Sequence, residues 1–525
     1  MSTDNAENHY KRGLSLQGLG RPDRALEAFD TAIALDAGHA EAYNSRGIAL
    51  VNLHRLQDAL ISFNRALEIR PDYAECHNNS GIALLELGRF DAALTSFDKA
   101  IALKPDNARA HNNRGTALVD LQRVGDALES YDRAIALSPS YAQAFYNRGM
   151  AMHDLGRFGE ALTSFDKAIA LQPDYAEAYH NRGALLQDML QPDEAISAYA
   201  KATQFYPERA ESYANQAYCY LQLGRFEDGW RLHEWRKRLP IPVGDRFFRQ
   251  PLWLGREDIA AKTLFVHWEQ GFGDTIQFCR YAKLLKSRGA NVIMSVQEPL
   301  YRLLMQMSPE IEIVNQAEVP EHFDFHCPMM SLPLALETTL ETIPAERRYI
   351  FPEERLCRSW TARLPPPPKP RIGIAWRGST AHRNDRHRSV ELATLAPLIS
   401  EDAHWISLQY DDDSDKNPSW PPHLTSHAGL WSDFADIAAA IDGLDLVITV
   451  DTSVAHLAGA MGKPVFILLP FNSDWRWLLE REDSPWYPSA RLFRQSFAES
   501  WTEVTLRVRS ALFRFMHEQA KPLFR

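Results

Sequence analysis

The chain has 525 residues, 45% hydrophobic and 24% charged, with a formal net charge of −11. This is globular composition, so wholesale disorder is excluded, and at roughly 150 residues per domain it predicts about three or four units. The negative balance excludes a general nucleic-acid binder, which would need a basic surface for phosphates. Cys76, Cys219, Cys279, Cys327 and Cys357 are scattered without a C-x-x-C pair. They form neither a disulfide framework nor a zinc ribbon, and they fit a reducing compartment. The first residues are polar, and no apolar run approaches the ~20 residues that span a bilayer. The expectation is a soluble, cytoplasmic chain with no transmembrane segment.

The first predicted elements repeat. Gly13, Gly47, Gly81, Gly115, Gly149 and Gly183 recur every 34 residues. In phase with them run Ala25, Ala59, Ala93, Ala127, Ala161 and Ala195, then the aromatics Phe29, Phe63, Phe97, Tyr131, Phe165 and Tyr199. Pro71, Pro105, Pro139, Pro173 and Pro207 close the units, because proline cannot continue a helix. Small residues let two helices approach, and the aromatic fills the gap between them. Each unit buries its face only by stacking on the next. The pattern resembles the tetratricopeptide repeat and covers residues 1 to about 238. That range holds six full repeats and a degenerate seventh, where Trp230-Arg-Leu-His-Glu-Trp-Arg reads as a capping helix that welds the array to the second half of the chain.

Two residues before the glycine position stand Asn79, Asn113, Asn147, Asn181 and Asn215. An amide offers both donor and acceptor, which suits an extended peptide backbone. A similar ladder grips peptide in the O-linked N-acetylglucosamine transferase array, which this half resembles. Glu86, Asp120, Asp154 and Asp188, if they line the same groove, would favour basic or hydroxyl-rich segments. In the alternative, the asparagines bond neighbouring helices and the acids form a solvated face.

After Leu239 the period ends. Residues 239–262 read as a linker with prolines at Pro240, Pro242 and Pro251 and aromatic anchors at Phe247, Phe248 and Trp253. Residues 263–267 and 291–295 predict buried strands, and 311–314 and 323–326 weaker ones. Gly271-Phe-Gly-Asp274 is a turn that opens a helix. The run Pro365-Pro-Pro-Pro-Lys-Pro370 reads as a stiff hinge. Strands are then predicted at 371–376, 405–409, 444–450 and 464–469, with helices at 434–441 and 453–461. The helix 501–519 is expected to pack back across the lobes. An α-solenoid followed by two Rossmann-like α/β lobes, 263–364 and 371–525, is the expected architecture, with ligands at the carboxyl ends of strands.

Three motifs carry chemistry. Asp451-Thr-Ser-Val-Ala-His456 follows a strand and opens a helix, whose free N–H groups suit a diphosphate. In the alternative, Asp451 only caps its own turn. Glu269-Gln-Gly-Phe-Gly-Asp274 opens the first lobe's first helix. It lacks the third glycine of a dinucleotide fingerprint, so hydride transfer fits poorly. Read from its residues alone, Asp274 is a plain N-cap that holds its turn. Near a helix N-terminus its pKa is expected to be low unless the closed cleft desolvates it. Arg377, Arg383, Arg386 and Arg388 lie in the loop after the second lobe's first strand. They would neutralise a leaving diphosphate, or else form a solvated loop. Gln409 ends the next predicted strand, near the same edge. Asp411-Asp-Asp-Ser-Asp415 reads as a solvated loop, since it lacks the spaced ligands of a metal site. Trp475 and Trp486 fit a stacking role on sugar or base as well as a core role.

The Asp451 motif resembles the D-[ST]-G-x-x-H-x-x-x-A motif of glycosyltransferase family 9, the heptosyltransferases, which have the GT-B fold. Ser453 stands where that family has glycine. The resemblance implies an inverting, metal-independent glycosyltransferase, with a nucleotide sugar as substrate and no cofactor. It implies Asp274 as base, with Glu269 as a rival, a nucleotide-sugar site including Gly271, Gly273, Arg377, Arg383, Gln409, Asp451, Thr452, Ser453 and His456, and a protein acceptor in the repeat groove. Modification of Ser or Thr, with flagellin as one acceptor, comes by analogy with glycosyltransferases of this architecture. A glycan or lipid-core acceptor, and a non-catalytic peptide-binding scaffold, remain as alternatives.

Overall fold

A helix pair can cross closely only where one side chain is absent. The computed structural model describes residues 5–239, 248–378, 385–410, 420–497 and 499–519. It begins with seven helix pairs: α1 and α2 (Ala6–Gly18, Pro22–Leu35), α3 and α4 (Ala40–Asn52, Leu56–Ile69), α5 and α6 (Ala74–Glu86, Phe90–Leu103), α7 and α8 (Ala108–Asp120, Val124–Leu137), α9 and α10 (Ala142–Asp154, Phe158–Leu171), α11 and α12 (Ala176–Asp188, Pro192–Phe205), and α13 and α14 (Ala210–Gln222, Phe226–His233). The glycines sit against the aromatics: a Cβ on Gly115 would lie 2.5 Å from Tyr131 Cε1. Ala25, Phe29, Ala59, Phe63, Ala93 and Phe97 are fully buried, as the steric reading of the repeat requires.

The chain divides into two compact units. One holds the helices up to Glu208 apart from residues 190–196, and the other holds those seven residues and the chain from Arg209. In the first unit a polar ladder runs beside the apolar one. Arg46 donates to Asp30 (2.5 Å) and to Ser62 (2.6 Å), 16 residues away on either side. Arg114 does the same to Asp98 and Ser130, and Arg148 to Asp132 and Ser164. Each guanidinium therefore ties a helix to the one before and the one after it.

In the second unit, α13, α14 and a 3-10 turn at Glu234–Arg238 lead into two parallel sheets. The first lobe contains β1 (Thr263–His267), α15 (Phe272–Phe278), α16 (Tyr281–Ser287), β2 (Asn291–Val296), α17 (Glu298–Leu304), β3 (Ile311–Asn315), β4 (Phe325–Pro328) and the short α18 (Leu332–Ala335). Its strand order is β3-β2-β1-β4, all parallel, with Phe265 opposite Ile293 and His326. After α19 (Glu354–Thr361), the second lobe contains β5 (Arg371–Ala375), α20 (Asp385–Arg388), α21 (Leu392–Leu395), β6 (His404–Ser407), β7 (Leu424–Thr425), α22 (Phe434–Asp442), β8 (Leu446–Val450), α23 (Ser453–Ala460), β9 (Val465–Leu469), β10 (Ala490–Arg494) and α24 (Trp501–Gln519). Its order is β10-β9-β8-β5-β6-β7, again all parallel. Helical repeats followed by two parallel-sheet lobes are a GT-B-like arrangement.

Three expectations change. The segment after Ser484 contains a strand, β10, at the sheet's edge; its alternation of Arg491 and Arg494 with apolar residues hides it among the aromatics. The chain reaches the second lobe before the prolines. The N–H groups of Tyr349 and Ile350 donate to Ala460 O at 2.9 and 3.2 Å. Trp360 of α19 donates to Asp436 of α22 at 2.9 Å. The proline run thus lies within the second lobe rather than at a hinge between lobes. Finally, α24 packs on the second sheet: Val504, Val508, Ala511 and Leu512 join Ile372, Leu446 and Ile448 in one cluster.

The facing helices of the two lobes share a single apolar core, which includes Leu221, Phe226 and Trp230 of α13 and α14 as well as Ile276, Phe278, Leu300, Ala438, Ala439 and Trp486. Arg302 of α17 clasps Asp433, the N-cap of α22, and Asp436 within that helix at 2.7–2.9 Å. Among the described residues no helix is long and apolar enough to cross a membrane.

Candidate functional site

The carboxyl ends of β1 and β8 deliver Asp274 and Asp451 to the junction between the lobes. Helix α15 starts after Gly271, and Asp274 is its third residue. One carboxylate oxygen accepts from the Gly271 N–H at 2.8 Å, which caps the helix. The other accepts from Arg476 of the second lobe. Burial raises the Asp274 pKa, and Arg476 only partly offsets it. The low value expected from a helix N-terminus is therefore corrected: desolvation outweighs the dipole here.

Helix α23 starts after Thr452, whose backbone is extended. The Thr452 side chain makes no cap bond and meets Thr449 Oγ1 at 3.3 Å. Ser453 is the first helical residue and is half-buried. Burial, together with the Asp474 carboxylate, raises Asp451 to about 6. Its backbone oxygen accepts from Arg388 Nη1 at 2.9 Å. His456 lies one turn into the helix, with Nε2 4.0 Å from Asp451 Oδ1 and Nδ1 2.8 Å from the Tyr487 hydroxyl. Burial, then the charges of Arg476, Arg280 and Arg388, holds its pKa well below the ordinary range, so the imidazole is neutral. Its ring stacks on Trp477 at 5.4 Å.

Gly273 explains how the lobes meet. A Cβ there would lie 2.7 Å from His456 Cδ2, so the two helix starts approach only because position 273 has no side chain. Arg476 joins the pieces. It is buried, stacks on Trp475 with its guanidinium 4.4 Å from the ring centre, and donates to Gln277 (2.5 Å), Asp474 (3.0 Å) and Asp274.

The other expected residues divide. Glu269 is buried and held by Arg236, whose Nη2 lies 3.0 and 2.8 Å from its two oxygens. It also accepts from the Met330 N–H at 3.0 Å. Both Glu269 oxygens are thus engaged, as both Asp274 oxygens are. Gln409 turns inward, and its Oε1 accepts from the N–H groups of Trp376 and Arg377, both at 3.0 Å. It shapes the loop that presents Arg377. Arg383, the side chain of Arg386, and the run Asp411–Asp415 lie outside the described residues. Trp475 and Trp486 are buried and belong to the core, the second of the two roles expected for them. Among the described residues no group of three or more His, Cys, Asp or Glu is placed to hold a metal ion.

In the repeats the asparagine amides run between helices. Asn79 donates to Asn44, Asn113 to Asn78 and Asn147 to Asn112, at 2.9–3.0 Å, and Asn181 donates to the Tyr146 hydroxyl at 2.6 Å. The inter-helix alternative therefore accounts for these four donors. Asn215 is half-buried on α13, in the second unit. Of the acids, Asp188 meets His153 Nε2 at 2.8 Å.

Sequence reasoning misses Arg476 as a site residue. The segment 474–477 stands out for its tryptophans, and nothing local marks this arginine as buried. Tyr487 and Gln277 escape for the same reason.

The tetratricopeptide-repeat family model matches residues 10–74, 78–142 and 113–176, and a second model of the same description matches 164–197. The chain is similar to Protein FlbA of Caulobacter vibrioides, 25% identical over 326 residues, covering 57% of this chain and 54% of that protein. It thus spans about half the length of this curated relative. Similar solved structures include PilF of Pseudomonas aeruginosa, 19% identical with a TM-score of 0.37, covering 40% of this chain and 96% of that one. Another is YrrB, described as a TPR protein with an unusual peptide-binding site, 26% identical with a TM-score of 0.30, covering 36% and 96%. The chain is a tetratricopeptide-repeat protein with a C-terminal α/β region of parallel sheets, and it is a distant homologue of FlbA.

Proposed function

We propose that the chain is an inverting glycosyltransferase that moves a sugar from a nucleotide donor to a protein acceptor brought by the repeats. The observation that carries this reading is the meeting of Asp274 with the Asp451–His456 turn, two strand-end motifs from separate lobes joined by Gly273 against His456. The diphosphate would sit at the start of α23, where the first N–H groups point outward. Arg377 and Arg388 would balance its charge as it leaves. The acceptor hydroxyl would lose its proton to the Asp274 carboxylate while its oxygen bonds to the anomeric carbon from the face opposite the leaving group. The bond from that carbon to the diphosphate breaks, and the nucleoside diphosphate departs with the electron pair. The raised pKa makes Asp274 a stronger base than an exposed aspartate.

A second reading is a binding scaffold without turnover. It is favoured by the engagement of both Asp274 oxygens, one by Gly271 and one by Arg476. Turnover separates the two. Release of nucleoside diphosphate would be measured from a panel of UDP-, GDP- and ADP-sugars. The transferase reading expects release from one donor class, reduced about 10²–10⁴-fold by Asp274→Asn. Release that is equal in wild type and Asp274→Asn contradicts the role of Asp274. No release from any donor favours the scaffold.

A further inference from the structure

The second unit starts with helices that the repeat period includes. These helices do more than end the solenoid. From α13, the Tyr218 hydroxyl donates to Ser473 O at 3.0 Å, and Gln222 Nε2 donates to the same oxygen at 3.3 Å. From α14, Trp230 packs edge-on against Trp475 at 5.3 Å and donates to Thr338 O at 2.9 Å. From the 3-10 turn after α14, Arg236 holds Glu269 through both carboxylate oxygens.

Apart from the bond to Thr338, these contacts fall on two segments. Ser473 and Trp475 flank Asp474 and immediately precede Arg476. Glu269 immediately precedes the turn that carries Asp274. One continuous stretch, 210–238, therefore grips the loop that supplies Arg476 and the turn that supplies Asp274. Arg236 also donates to Glu234 at 2.7 Å, to Ser331 at 2.8 Å and to His233 O at 3.1 Å, so its buried charge has four oxygen-bearing partners with Glu269. Burial works against that charge, and Glu269 and Glu234 outweigh it. A buried arginine held through both terminal nitrogens by two carboxylates has a fixed geometry and transmits position rather than adapting to it.

We propose that the stretch 210–238 is a positioning frame for the site, and that Arg476 is the positioning residue through which it orients the Asp274 carboxylate. A transferase role for Asp274 rests on the function proposed for the site, but the frame itself is testable without turnover. The groups facing Asp274 are Arg476, Asp474 and Glu269, and Asp451 and His456 face Arg476 from the start of α23. Tyr218 and Gln222 touch none of these carboxylates. They reach Asp274 only through the loop.

The test is the titration of Asp274 in the full chain, followed by ¹³C NMR of Asp-labelled protein and assigned by the signal lost in Asp274→Asn. Arg476→Gln is expected to raise the midpoint by about one pH unit or more, because a neighbouring guanidinium favours the charged form. Arg476→Lys should restore most of that shift. The double variant Tyr218→Phe with Gln222→Ala should raise the midpoint in the same direction by a smaller amount. If Arg476→Gln does not fold, the lysine and double variants decide the matter alone. A folded double variant whose Asp274 titrates as in wild type overturns the frame. An Arg476→Lys midpoint equal to that of Arg476→Gln overturns orientation by the cation. Failure of every nucleotide sugar to turn over would remove the transferase reading and leave this result standing.

Discussion

The two units use buried polarity in opposite ways. In the repeats, polar side chains recur with the helices: Arg46, Arg114 and Arg148 each tie an aspartate to a serine, and Asn79, Asn113 and Asn147 each tie to an asparagine 35 residues earlier. Their carboxylate partners are about half exposed, as solvated surface pairs are. In the second unit, the charges at the lobe junction have no period and lie in the core: Arg236 with Glu269, and Arg476 with Asp274, Asp474 and nearby Asp451. Burying ions is costly, and replacing such a pair with apolar residues is often neutral or stabilising. A repeated polar contact is explained by the stack it serves. A buried, non-repeating cluster where two strand ends meet calls for a chemical explanation.

That contrast is open to breaking by mutation. All 13 tryptophans lie at or after Trp230, so their fluorescence reports only the second unit. Arg236→Ala leaves Glu269 buried without its partner and should lower that unit's unfolding free energy by about 3–5 kcal/mol. Denaturant curves followed by tryptophan emission would show the loss, with the repeat transition in far-UV circular dichroism unmoved.

The next largest effect is a pH dependence. Folding raises the Asp451 pKa to about 6 from an ordinary value of 3.8, so the folded state binds its proton more tightly. Its contribution to stability is therefore full below about pH 4 and is lost as pH rises through about 6. Relative to Asp451→Asn, wild type should lose about 3 kcal/mol across that window. Unfolding curves at intervals between pH 4 and 7 measure the difference. A gap that stays constant with pH would place Asp451 in water.

Smaller effects sharpen the repeat side. Gly149→Ala brings a Cβ to 2.7 Å from Phe165 Cε1. Overpacking should cost about 1–3 kcal/mol, of which alanine's helix propensity returns up to about 1. Ser130→Ala removes one of the two partners of Arg114 and should cost about 0.5–1.5 kcal/mol. Both belong to the circular dichroism transition and should leave tryptophan emission unchanged.

Much of the fold is legible because its signals are local. A 34-residue period needs no tertiary knowledge, and β1, β2, β5, β8 and β9 are apolar runs long enough to read. β7 has only two residues, and β10 carries arginines at 491 and 494, so neither announces itself. The proline run looks like a hinge because its stiffness is visible in sequence, whereas the hydrogen bonds of Tyr349 and Ile350 to Ala460 are not. At the site, Asp274 and Asp451 are legible because each follows a strand and opens a helix. Glu269 looks equivalent to Asp274 at five residues' distance, and only the folded chain shows that Arg236 claims it. Arg476 is invisible for the converse reason: an arginine between tryptophans reads as surface until the loop is seen buried against α13 and α14. The asparagine ladder is legible at its correct positions, while its partners depend on how successive helices stack.

The start of α23 and the residues around it are the nucleotide site proposed for this chain. It is tested most directly by thermal shift of wild type and Asp451→Ala with UDP, GDP, ADP, CDP and CMP. Stabilisation by one of them is expected in the wild type, and its loss in the variant. Stabilisation by none of them, or an equal shift in the variant, would contradict it.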